Sequence, residues 1–111
     1  MNKYTELSDF EINRQIAEMD IKNRYVYFEK EQTIFRKFNN GQTKKFNPCN
    51  NPADAMPIII ENGININFNV CHHDKDKVSA FKSIEIYSIT KNIYRAAMEV
   101  YLLMKDAENN Q

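Results

Sequence analysis

The most regular pattern in the chain runs from Ile64 to Val70, where Ile64, Ile66, Phe68 and Val70 alternate without exception with Asn65, Asn67 and Asn69. A period of two puts the apolar side chains on one face, so this stretch predicts a half-buried strand. Near the N-terminus the period lengthens. Ile12, Ile16 and Met19, with Phe10 and Ala17, recur at helical spacing and predict a helix from Asp9 to Asp20. Its start is marked by Ser8 as N-cap, by Glu11 completing a capping box, and by Leu7 facing Ile12 as a hydrophobic staple. Asp9 and Glu11 place negative charge in the first turn, where the helix dipole favours it, and Asn13, Arg14 and Glu18 are left to face water. A second helix, Lys91 to Ala107, carries a wider stripe of Ile93, Ala96, Ala97, Val100, Tyr101, Leu103 and Met104. Its alanine pair allows a close neighbour.

Between these helices, Lys22 to Phe46 is rich in aromatic and β-branched residues. Strands are expected at Arg24 to Glu29, Thr33 to Asn39 and Gln42 to Phe46, with Asn40-Gly41 as a two-residue type I′ turn. A helix through Lys30 to Phe38 is the alternative, since Glu31, Gln32, Arg36 and Lys37 all tolerate one. Phe81 to Ile89 reads as one further strand, antiparallel to the one before it because the polar loop Cys71 to Lys77 is too short for a crossover helix. The expected fold class is α+β, a small antiparallel sheet packed by N- and C-terminal helices, in a single domain over residues 1–111.

Asn47 to Gly63, NPCNNPADAMPIIIENG, holds all three prolines and one of the two glycines. Asn51-Pro52 reads as a helix N-cap followed by proline at the first helical position. Pro57 lacks the donor that a continuing helix needs, which predicts two short turns, Pro52 to Met56 and Pro57 to Asn62, closed by Gly63 in a left-handed C-cap. The dense apolar run Met56, Ile58, Ile59 and Ile60 is expected to be largely buried. The stretch therefore reads first as a bent, core-filling connector, with Asn50, Asn51 and Asp54 as its polar candidates for a binding role.

NPCNNPADAMPIIIENGI, with ELSDFEIN (Glu6 to Asn13) before it and YRAAMEVYLLMKD (Tyr94 to Asp106) after it, resembles the signature of the NinX-like family of small bacteriophage proteins, a domain of unknown function. The three blocks occur in the same order and reach both ends of the chain. The resemblance implies a phage protein and brings no established activity.

With 42% hydrophobic and 27% charged residues over 111 positions, the composition is that of a folded domain rather than a disordered chain. No apolar run approaches the roughly 18 to 20 residues that span a bilayer, and no signal-peptide core is visible, so no membrane partner is expected. The host cytoplasm is the expected location, where Cys49 and Cys71 stay reduced. Fifteen acids and fifteen bases cancel, which removes bulk charge as an argument for nucleic-acid binding. The distribution is uneven, however: residues 22–46 hold seven bases and two acids. Arg36, Lys37, Lys44 and Lys45 around Tyr25, Tyr27, Phe35 and Phe38 are the candidates for a surface that tracks phosphates and stacks on bases.

Cys71, His72, His73 and Asp74 are residue types that zinc accepts, but adjacent ligands rarely enclose one ion and no C-x-x-C or H-x-x-x-H spacing is present. No metal, no cofactor, no catalytic residue and no phosphate-binding loop is predicted. The functional expectation is a non-enzymatic phage accessory protein acting through protein contacts on a host or phage factor. The alternative is a nucleic-acid-binding helper of phage replication or recombination working through residues 22–46. A homodimer through an exposed hairpin edge stays open.

Overall fold

Helix α1 (Asp9–Met19) begins as its caps predict, with Ser8 Oγ accepting from the Glu11 N–H at 3.1 Å and Glu11 Oε1 accepting from the Ser8 N–H at 3.3 Å. The computed structural model describes residues 2–68 and 76–109. After α1 come the strands β1 (Arg24–Phe28), β2 (Thr33–Lys37) and β3 (Thr43–Lys45), then helix α2 (Pro52–Glu61), strands β4 (Asn65–Asn67), β5 (Val78–Phe81) and β6 (Tyr87–Thr90), and helix α3 (Ile93–Asn109). The class is α+β with antiparallel strands and helices towards both ends. The strands divide into two three-stranded sheets, β1-β2-β3 and β4-β5-β6.

The first sheet is a meander. Lys30 to Phe38 is strand and turn, not helix. The turn between β2 and β3 departs from the expected type I′ geometry. The Gly41 N–H reaches the Phe38 carbonyl at 3.0 Å, the Phe38 N–H reaches the Gln42 carbonyl at 2.9 Å, and only Gly41 has positive φ, +86°. This is a three-residue loop with glycine in the left-handed position, which relieves Asn40 of the strained conformation that type I′ would impose.

The Asn47 to Gly63 stretch also corrects expectation. A single helix runs through Pro57, because both the proline ring and Ala53, whose carbonyl loses its donor, face solvent. Gly63, at φ +61°, closes the helix as expected: its N–H bonds the Ile60 carbonyl and the Ile64 N–H bonds the Ile59 carbonyl, a Schellman motif sealed by buried Ile59 and Ile64. Ile60 is 70% exposed, so the isoleucine run is amphipathic rather than buried throughout.

In the second sheet, the expected strand Phe81 to Ile89 is a hairpin. Ser83 breaks it: its hydroxyl accepts from the N–H groups of Glu85 and Ile86, and Ile84 stands 94% exposed at the tip. Strand β4 ends at Asn67 and Phe68 is 61% exposed, while Asn69, Val70 and the run Cys71 to Lys75 lie outside the described residues. Helix α3 is the centre of the molecule, packed against the second sheet, α1 and α2. Ala96 and Ala97 are fully buried as their small size suggested, and Met98, Glu99, Val100 and Leu102 are buried too, so the buried part of the helix widens beyond the apolar stripe to nearly the whole circumference. No described helix is long and apolar enough to cross a membrane.

Candidate functional site

The strand register of the meander sorts the basic-aromatic segment onto two faces. Residues directly opposite in an antiparallel pair share a face, and neighbours along a strand alternate. Tyr25 pairs with Arg36, Tyr27 with Ile34, and Arg36 with Lys44, so these residues share the inner face, where Ile34 is buried against α1. Arg14 of α1 stacks over the Tyr27 ring at 5.4 Å and pairs with Glu29 on the same side. The outer face carries Arg24, Val26 and Phe28 of β1, Thr33, Phe35 and Lys37 of β2, and Thr43 and Lys45 of β3. The proposed basic set is thus divided: Tyr25, Tyr27, Arg36 and Lys44 point inwards, Lys37 and Lys45 outwards.

The inner face opens into a cleft of about 630 Å³ between the sheet, α2, the end of α1 and Tyr101 and Lys105 of α3. Met19, Phe46, Ile58 and Tyr101 give it apolar walls, and Tyr25 and Phe46 pack ring to ring at 4.9 Å. Lys22, Arg36, Lys44 and Lys105 line it against Asp20, Asp54 and Glu61, and so does Lys45, which ends the edge strand β3 although its register position is on the outer face. Two of those acids are already engaged. Asp20 accepts from the Tyr25 hydroxyl at 2.6 Å and from Asn23 at 2.8 Å, and Asp54 accepts from the Asn47 N–H at 2.9 Å. Burial works against the Asp20 charge, but the bonds from Tyr25, Asn23 and the backbone outweigh it and hold the carboxyl below its ordinary value. Burial, then the bond to Asp20, pushes the Tyr25 phenol up. Arg36 stacks on Phe38 at 4.7 Å, and its Nε is buried with no acceptor among the described residues.

Asn50 and Asn51 belong to a different region. Asn51 caps α2 by accepting from the Ala53 N–H at 3.0 Å. Asn50 joins a polar junction that ties α1, the Asn47 to Asn51 turn and the start of α3 together. Its amide donates to Asp9 at 3.0 Å and to Asn47 at 3.1 Å, and its oxygen accepts from Asn92 at 3.0 Å. Asn13, expected at the surface, is buried here: its oxygen accepts from the Cys49 N–H at 3.1 Å and its amide donates to Asn47 at 2.8 Å. The position lies on the packed side of α1, where only a side chain able to satisfy the turn's backbone fits without cost. Arg95 anchors the centre through Asp9 (2.6 Å), Glu99 (2.6 Å) and the carbonyls of Tyr4 (2.8 Å) and Leu7 (2.7 Å). Glu99, 1% exposed, accepts further bonds from Ser88 at 2.7 Å and Asn2 at 3.1 Å.

Sequence reasoning missed Arg95, Glu99 and Asn92. The available signal was the pairing of Arg95 and Glu99 four residues apart inside the otherwise apolar stretch Ile93 to Met104, a spacing that puts both on one face.

Cys49 is fully buried, and burial pushes its thiol up, so the protonated form that is a poor nucleophile prevails. No cluster of three metal-ligating side chains exists among the described residues, and Cys71, His72, His73 and Asp74 lie outside them. A protein-family model described as Bacteriophage P22, NinX matches residues 3–105. No curated protein and no solved structure matches the chain.

Proposed function

Because the chain belongs to the phage P22 NinX family, we propose that it is an accessory protein acting by binding rather than catalysis, and that it engages a host or phage protein in the cytoplasm of the infected cell. The observation that supports this reading best is the cleft between the meander sheet and α2. It combines apolar walls with Arg36, whose buried Nε has no acceptor among the described residues. A buried guanidinium nitrogen without a partner costs stability, and a carboxylate delivered by a partner, taking a charge-assisted hydrogen bond from the same guanidinium in the cleft, offsets that cost. The complementary segment is therefore an acidic side chain beside an apolar one.

Affinity capture of the tagged protein from infected cells, with and without nuclease, tests the reading. A protein recovered in near-equal amount after nuclease treatment, and lost when Arg36 is replaced by methionine, is the expected result. Capture that ignores Arg36→Met, or cysteine-dependent turnover of a substrate by the purified protein, overturns it.

A further inference from the structure

We infer that the outer face of the meander sheet is a second site, one that binds single-stranded nucleic acid. Of its eight residues none is acidic, and three, Arg24, Lys37 and Lys45, are cations set around the rings of Phe28 and Phe35. The helix that packs on this sheet, α1, lies on the opposite face. Phe28 is 43% exposed, and the two rings meet edge to face at 5.7 Å, an arrangement that leaves the faces of one ring uncovered by the other.

A sheet face with one exposed ring, a half-buried ring beside it and flanking cations matches single strands for a physical reason. Every unpaired base offers a π-face to a ring, while the phosphates beside it need compact positive charge. A duplex hides its base faces and gains only the charge term. The chain as a whole is neutral, so binding here depends on the local excess and not on bulk charge. Three phosphate contacts on a single strand predict a slope of log affinity against log salt of about −2.

The test is anisotropy of a fluorescein-labelled oligothymidylate of about 20 nucleotides, longer than the roughly 4 to 16 nucleotides such surfaces cover, titrated with the full chain at several salt concentrations. Phe28→Ala is expected to weaken binding by about 5- to 150-fold, with Phe28→Tyr retaining it. Arg24→Ala with Lys37→Ala is expected to bring the slope close to about −0.7. This pair also carries the test should the alanine at Phe28 disturb the fold. Arg36→Met, in the cleft, leaves oligonucleotide binding unchanged, so failure here is separable from failure of the cleft. Absence of binding at low salt, equal binding of a duplex, or binding indifferent to both Phe28→Ala and the charge pair overturns the inference. So does a protein whose capture depends on Phe28 while the oligonucleotide does not bind.

Discussion

The polar junction and the meander sheet use similar residues to opposite ends. In the junction, Arg95 has four partners: two carboxylates and two carbonyls take its three nitrogens, and Glu99 receives two more donors. On the sheet, Arg36 Nε has no acceptor among the described residues, and β3 is exposed along its whole length. A polar group that is buried and fully partnered holds the fold. One that is buried without a partner, or aligned with like charges on an open face, is better explained by something it binds. The three blocks that carry the family resemblance converge on the junction through Asp9 and Asn13, Asn47 and Asn50, and Arg95 and Glu99. The residues that make the family recognisable include those that close the fold, and the proposed binding surfaces are built on the sheet between the first two blocks, with α2 and the end of α3 completing the cleft.

The largest effect expected from breaking this contrast is at Arg95. Arg95→Ala takes the cation away from buried Glu99, which keeps only its bonds from Ser88 and Asn2, and from one oxygen of Asp9, a loss of about 3 to 5 kcal/mol, read as a fall in the urea midpoint. A loss under about 1 kcal/mol would show that water repairs the junction and that it does not hold the fold.

A smaller effect is expected where the cleft touches the fold, at Tyr25. Tyr25→Phe removes the hydroxyl that holds Asp20 ionised, a loss of about 1 kcal/mol at neutral pH. The sign of its pH dependence follows from the lowered Asp20 value. The stabilisation is present above the unfolded value near 3.8 and is lost as pH falls through the folded value below it. The stability curves of the parent and of Tyr25→Phe should therefore converge in acid. Curves that stay parallel down to pH about 2 would show that the hydroxyl acts independently of the Asp20 charge.

How much of this was legible in sequence depends on how local the determinant is. The capping box of α1, the meander strands and the alanine pair of α3 are set by residues within a turn or two, and they read correctly. The features that misled are set by distant contacts. Whether Pro57 ends a helix depends on whether the freed Ala53 carbonyl meets water, and that is decided by which side of α2 the core takes. Asn13 looked like a solvent residue because its partners, Asn47 and the Cys49 N–H, are more than thirty positions away. The division of the basic segment into two faces was in principle available, since it needs only the register. The hairpin turn, assigned as two residues instead of three, shifts that register by one and sets Arg36 opposite Lys45 instead of Lys44.

The central claim is that Arg36 serves binding and not folding, and one urea denaturation of Arg36→Met tests it most directly. Methionine keeps the length and the apolar contact while removing the unpartnered Nε, so the account predicts a midpoint equal to or above that of the parent chain. A loss of about 2 kcal/mol or more would place Arg36 with the fully partnered residues of the junction and contradict it.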